Sequence, residues 1–307
     1  MITNIVIKYV CEQKFMSVKN LSIIIPAYNE AKNIPLVIPG IVDFCKQHNY
    51  QLIIVNDGSA DDTKQELSVF DSEECVTVIH HKINRGYGGA IKSGISVCET
   101  PYLVTMDCDG QHVVQNINNL FEALQQQDAD MVVGTRRGQK SSTISRGVGK
   151  RIIRFIIKRL MPLPIYDINS GMKLYATDLA KNYSRICPNS MAYSDVICLT
   201  FINKSHRVIE SPIEIKERQL GQSSVNLKTA FHTIYEVFNI IVLFNPIRIF
   251  MPIALTAIFA GVLWGTPIIL AGNGVSVGAM LSIMLGVITL FFAAIAEQLS
   301  QIRKRDL

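Results

Sequence analysis

Between Ile249 and Ala296 the chain carries no Asp, Glu, Lys or Arg, an uncharged run of 48 residues. That is room for two membrane spans of about 20 residues each. "AGNGVS" (Ala271–Ser276) supplies a turn between them, so spans are expected over 247–270 and 276–298. Arg248 precedes the hairpin and Arg303, Lys304 and Arg305 follow it. Basic flanks stay cytoplasmic. The chain is therefore expected to be an integral protein of the plasma membrane with two spans, and with both termini and the first two thirds in the cytosol. Small residues in "IFAGVLWG" and "GAMLSIMLG" permit close helix packing and oligomer formation. The absence of charge inside the spans argues against a conducting or transporting role.

Upstream, strands and helices alternate. "LSIIIPAY" is a short apolar run broken by proline, as in a buried parallel strand. "IPLVIPGIVDFCKQH" reads as helix, "QLIIVNDGS" as a second strand, and "ADDTKQEL" as the acid-rich start of another helix. "VTVIHH", "YLVTMD" and "DMVVGTR" read as further strands, with helices in "GGAIKSGISVC" and "VQNINNLFEALQQQ". Such alternation predicts a mostly parallel α/β sheet with its ligands at the C-terminal strand ends. Polar residues gather at those ends: Tyr28, Asn29 and Glu30; Asn56, Asp57 and Gly58; Asp107 and Asp109; Arg136. Four such clusters point to one crevice.

"VTMDCDGQH" places Asp107 and Asp109 one residue apart at the end of an apolar strand. Like charges that close raise each other's pKa unless something positive sits between them. The glycine-rich "NRGYGGAIKSGI" lacks the third glycine of G-x-G-x-x-G and follows the third strand rather than the first, which disfavours a dinucleotide site. No G-K-[ST] occurs, which excludes a P-loop. Seven scattered cysteines without a C-x-x-C pair argue against a disulfide framework or zinc site and suit a reducing compartment. Cys108 is expected to be a bystander pointing to the other face of the strand end, and His112 to close the turn.

"SRGVGKRIIRFIIKRL" (Ser145–Leu160) has no acidic residue. On a helix Arg151, Arg154 and Lys158 share one face while Ile152, Ile153, Ile156 and Leu160 share another. Such a helix lies at a membrane surface with its cations toward anionic headgroups. A second amphipathic stretch, Leu227–Phe244, leads into Pro246 and the first span. The expected organisation is an extension over 1–19, an α/β domain over 20–226 containing the basic helix at 145–160, a juxtamembrane helix at 227–245, spans within 247–298, and a basic tail at 299–307. Residues 1–15 are expected to be dispensable, or to come from an upstream start codon.

"SIIIPAYNE", "VNDGSADDT", "NRGYGGAIKSGI", "MDCDGQH", "VGTR" and "DINSGMKLY" occur in the order seen in family 2 glycosyltransferases, which the chain resembles. With "IESPIEIKERQLGQSSVN" and the hydrophobic pair, residues 20–300 resemble the polyprenyl-phosphate hexosyltransferases. That group contains dolichyl-phosphate mannose synthase and bacterial undecaprenyl-phosphate glucosyltransferases. The resemblance implies a GT-A (Rossmann-like) α/β catalytic domain with amphipathic interface helices and a C-terminal two-helix transmembrane hairpin. It implies that Asp107 and Asp109 hold Mg2+ or Mn2+ against a sugar-nucleotide diphosphate, with Gln111 a further ligand. Pro26, Tyr28, Glu30 and Asp57 would line the base and ribose pocket, with Tyr87 and Ala90 near the nucleotide. Arg136 and Arg146 are assigned to the lipid phosphate and Arg218 to the diphosphate. A guanidinium grips phosphate oxygens in a bidentate way that lysine cannot copy. Asp195 matches a carboxylate near the sugar, to hold a hydroxyl or act as base. Two departures stand out. Ser224 occupies a place where relatives often have lysine, and "SGMK" replaces the commoner Ser-Gly-Phe-Arg, so Lys173 takes an arginine's position.

The resemblance implies transfer of a hexose, from UDP-glucose or alternatively GDP-mannose, to undecaprenyl or dolichyl phosphate with inversion. The expected partners are the nucleotide sugar, the lipid acceptor, the membrane and further copies of the chain, a tetramer in relatives, with no nucleic acid. One rival is a processive polysaccharide synthase, which would carry Q-x-x-R-W, whereas the one tryptophan here, Trp264, lies in a span. The other is a catalytically silent membrane scaffold subunit.

Overall fold

The computed structural model describes residues 19–136, 164–168, 170–216, 242 and 246–305. Arg146, Arg218, Ser224, the basic segment 145–160, most of 227–245 and the N-terminal extension lie outside the described residues. The described residues form two compact units, the α/β unit and the C-terminal hairpin.

The first four strands of the α/β unit begin where sequence places them. β1 (Leu21–Ala27) is buried along nearly its whole length, as expected of a strand covered on both faces. It pairs in parallel with β2 (Gln51–Asn56) on one side and β4 (Tyr102–Thr105) on the other. β3 (Val76–His80) extends the sheet from β2, again in parallel. The intervening helices are α1 (Ile34–His48), α2 (Thr63–Ser68), α3 (Tyr87–Val97) and α4 (Asn116–Gln126). α1 starts with proline in its first turn and stops at Asn49, which takes the left-handed conformation that ends helices.

β5 (Met131–Thr135) does not sit beside β4. A short strand, β6 (Lys173–Ala176), lies between them and runs antiparallel to both, and β7 (Val208–Pro212) pairs in parallel with β5 at the edge. The order is β3-β2-β1-β4-β6-β5-β7. The reversal of β6 has a local consequence. Thr105 pairs with Lys173, and Val133 pairs with the same lysine, so the start of β6 meets the ends of β4 and β5. The loop before β6 is thereby laid across the strand ends that carry Asp107 and Arg136. α5 (Thr177–Tyr183) and α6 (Tyr193–Asn203) complete the unit.

In the hairpin, α7 (Ile247–Leu270) and α8 (Val277–Arg305) are each long and apolar enough to cross a membrane. Their seam is made of small residues. A Cβ on Gly261 would meet the Ala279 carbonyl at 2.8 Å, and one on Gly286 would meet the Ala254 carbonyl at 2.7 Å. Ala279, Gly286, Ala293 and Ser300 recur every seven residues along α8, the repeat of a left-handed helix pair.

Candidate active site

β4 ends in Asp107. Its Oδ1 accepts a hydrogen bond from the Tyr87 hydroxyl at 3.2 Å, from the first residue of α3. His112 Nε2 stands 3.7 Å from Oδ2. The third wall is Gly171, where an added Cβ would lie 2.3 Å from Oδ2. Burial pushes the Asp107 carboxyl up; the His112 imidazole, the Tyr87 hydroxyl and the Lys173 ammonium outweigh it and hold the pKa below the usual range. The carboxylate is thus kept ionised by groups from three separate parts of the chain.

Behind it Lys173 is fully buried. Its ammonium donates to the Ser170 carbonyl at 2.5 Å and to the Ser194 hydroxyl. Desolvation lowers its pKa, opposed by Cys198, Asp195, Asp167 and Asp107. A buried lysine among three carboxylates was not legible from "SGMK" alone. Asp109 folds back on the turn, its Oδ1 accepting the Gln111 N–H at 3.1 Å, while the Gln111 carbonyl accepts the Lys216 N–H at 2.9 Å. Cys108 packs into the apolar core. His112 pairs with Ile215 in an isolated bridge, so it closes the turn and also faces Asp107.

Arg136 follows β5 and is engaged in a bidentate pair, Nε to Asp167 Oδ2 at 2.7 Å and Nη2 to Oδ1 at 2.8 Å. Glu210 Oε1 in turn accepts the backbone N–H groups of Tyr166 and Asp167 at 2.6 and 2.7 Å. Asp167 and Glu210 were not singled out by sequence; an aspartate in a loop carries no local signal for a partner 31 residues away. Asp195 stands in the first turn of α6, whose N-cap position is Ala192.

The residues assigned to the base pocket sit at the ends of β1 and β2. Pro26 is in β1, and Tyr28 just beyond it is half exposed. The Glu30 carboxylate accepts from Asn33 Nδ2, and the Glu30 N–H donates to Thr63 Oγ1, which ties the end of β1 to α2. Asp57 and Ala90 are enclosed by protein. The glycines of the 86–89 segment serve backbone packing. Gly88 N–H and Gly89 N–H donate to the Asn189 carbonyl at 2.8 and 3.3 Å, and a Cβ on Gly88 would lie 2.3 Å from the Pro188 carbonyl. The amides that a dinucleotide fold offers to a pyrophosphate are therefore taken by the protein itself.

A model described as Glycosyl transferase family 2 matches residues 22–184. The chain belongs to glycosyl transferase family 2. A second model, the GtrB C-terminal hairpin, matches residues 245–302 and so covers the two apolar helices. Among curated family members the chain is similar to two transferases. It is 29% identical over 235 residues to polyprenol monophosphomannose synthase of Mycolicibacterium smegmatis, with 70% of this chain and 85% of that protein covered. It is 26% identical over 227 residues to undecaprenyl-phosphate 4-deoxy-4-formamido-L-arabinose transferase of Photorhabdus laumondii, with 73% and 68% covered. Among solved structures, glucosyl-3-phosphoglycerate synthase from Mycobacterium tuberculosis with Mn2+, UDP-glucose and phosphoglyceric acid matches with a TM-score of 0.57. That match is at 14% identity and covers 73% of this chain and 80% of that one. The mixed sheet is a GT-A-like fold, and the chain is a glycosyltransferase.

The glucosyl-3-phosphoglycerate synthase structure holds Mn2+, and the chemistry of the residues here can be tested against such an ion. Asp107 is a hard oxygen ligand seated against a residue without a side chain, with Asp109 two positions on. Among the described residues no group of three or more His, Cys, Asp or Glu side chains gathers around a common point. Two carboxylates leave most of a hard cation's shell to water and substrate phosphate oxygens, which is how Mg2+ is usually held in nucleotide sites.

Proposed function

We propose that this glycosyltransferase moves a hexose from a nucleotide sugar to a polyprenyl phosphate at the cytoplasmic face of a membrane, with inversion. UDP-glucose is the favoured donor and GDP-mannose the alternative. The observation that carries the reading is the Asp107 carboxylate, fixed by Tyr87, His112 and Gly171 at the end of the central strand. The acceptor class rests on the two similar transferases, whose names specify polyprenol and undecaprenyl phosphates, and on the apolar hairpin.

In this reading Asp107 and Asp109, with Gln111, hold Mg2+ or Mn2+, which when bound neutralises charge growing on the departing diphosphate. Pro26, Tyr28, Glu30, Asp57, Tyr87 and Ala90 shape the nucleotide side. Arg136, oriented by Asp167, receives the lipid phosphate together with Arg146, and Arg218 serves the diphosphate. A phosphate oxygen of the acceptor attacks the anomeric carbon in line as the bond to the diphosphate breaks. That oxygen is already anionic near neutral pH, so no strong base is required, and Asp195 is assigned to holding the sugar. Catalysis is then mostly preorganised electrostatics.

The test uses membranes containing the full chain, labelled UDP- and GDP-sugars and polyprenyl phosphate. Label should enter the lipid extract with the wild type and not with Asp107→Ala, while the variant keeps its circular dichroism spectrum. Unchanged turnover by that variant overturns the mechanism. Nucleotide binding without any lipid-linked product favours the scaffold reading.

A further inference from the structure

Asp57 has no role in the chemistry just described beyond lining the nucleotide side, yet three donors converge on it. His81 Nδ1 lies 2.6 Å from Oδ1, the Arg85 N–H donates to the same oxygen at 2.9 Å, and the Gly86 N–H donates to Oδ2 at 2.8 Å. The His81 and Asp57 side chains are each only 4% exposed. An ionised carboxylate can only accept, so Nδ1 carries the proton in this contact. In the neutral ring the other nitrogen is then an acceptor, and it stands 2.8 Å from Ser93 Oγ on α3. The imidazole therefore joins the end of β2, the residue after β3, and the second turn of α3.

A serine, histidine and carboxylate in this order also occur in hydrolases. Here Ser93 sits in the interior of a helix, where the neighbouring amides are committed to the helix's own carbonyls and do not form an oxyanion hole. The arrangement can hold but has no means of cleaving. What it holds is the Arg85–Gly86 turn, since Asp57 binds both amides of that turn. Gly86 there has φ +86, a conformation that depends on glycine.

We propose that His81, its ring held from the other side by Ser93, is a positioning residue for donor binding: it orients Asp57 and thereby sets the Arg85–Gly86 turn that leads into Tyr87 on the nucleotide side. The inference rests on the reading above that Asp57 lies on the nucleotide side. Contacts to the nucleotide far from the anomeric carbon are equal in ground and transition states, so their loss raises KM and spares kcat.

The test measures UDP and GDP binding with MnCl2 by calorimetry, and donor KM and kcat, on the full chain in detergent. His81→Phe and His81→Gln should raise the Kd for the nucleotide the enzyme uses, and its donor KM, by about tenfold, the size of one hydrogen bond to a charged group. kcat should stay near wild type. His81→Asn places an amide N–H where Nδ1 stood, keeps the bond to Asp57, and should bind close to wild type. Ser93→Ala favours the helix and so does not endanger folding; it should raise Kd roughly threefold, as expected for one neutral hydrogen bond.

Equal losses for His81→Asn and His81→Gln would mean that the ring only fills space, and would overturn the proposal. So would unchanged Kd in His81→Phe while Asp57→Ala loses binding, a result that spares the placement of Asp57. Unchanged binding by Asp57→Ala instead removes the nucleotide-side reading of Asp57, and this inference with it.

Discussion

Gly171 is the residue on which the placement of Asp107 depends most directly. Even a methyl group there would lie 2.3 Å from Oδ2, so any side chain at this position forces the carboxylate to move. Gly171→Ala should displace the carboxylate by about an ångström and lower kcat by about a hundredfold, with the thermal midpoint little changed. Initial rates at saturating substrates check this; a rate within a few-fold of wild type would show that the carboxylate has room elsewhere. Asp167 supports a prediction of a different kind. Burial pushes its carboxyl pKa up, and donation from the Arg136 side chain outweighs burial and holds it low. A carboxyl depressed in the folded state stabilises the fold above its unfolded pKa, about 3.9. That stabilisation is lost as pH falls through the lower folded value. Asp167→Asn should therefore cost about 1 kcal/mol near neutral pH, a modest figure because Arg136 is partly exposed. Thermal unfolding of both proteins over a pH series checks the sign: the gap should close in acid, and a gap that widens there contradicts the pairing.

Among the elements, α3 has the tightest constraint. Its first turn rests on the segment 187–190, with the Asn189 carbonyl accepting two of its amides and Lys92 donating to Asn189 Oδ1 at 2.9 Å. Gly88→Ala would bring a Cβ to 2.3 Å from the Pro188 carbonyl and 2.8 Å from Tyr193 Cβ. Overpacking of this kind should cost about 1–3 kcal/mol and should shift the start of α6, and Asp195 with it. A lower thermal midpoint together with reduced kcat is the expected pair of readings; a normal midpoint would mean that the segment yields without cost. The elements differ in how legible they were. α1 reads from sequence to the residue, because Pro35 opens it and Asn49 closes it. β1, β2 and β4 read from their continuous apolar runs. β6 does not: it has four residues, starts with a lysine, and owes its place between β4 and β5 to pairing at both edges. The site followed the same division. Asp107 and Asp109 announce themselves by spacing. The groups that hold Asp107, Arg136 and Asp57 come from distant segments that only the reversed strand and the α3 packing bring near.

At the scale of the whole molecule, the charge pattern predicts an orientation for the hairpin in a membrane. The turn Ala271–Ser276 carries no charge, whereas Arg248, Arg303, Lys304 and Arg305 flank the outer ends. Moving these cations through the bilayer would cost several kcal/mol, so the ends should remain cytoplasmic and the turn should reach the other side. Asn273→Cys, expressed in intact bacterial cells, should react with a membrane-impermeant maleimide. Leu307→Cys should react only after the membrane is opened. The six native cysteines among the described residues are all buried, and Cys11→Ser removes the seventh, so background labelling should be low. Labelling of Leu307→Cys in intact cells, with Asn273→Cys silent, would reverse the orientation. It would also place the α/β unit away from the compartment where nucleotide sugars are made, and the proposed donor would then have no route to Asp107.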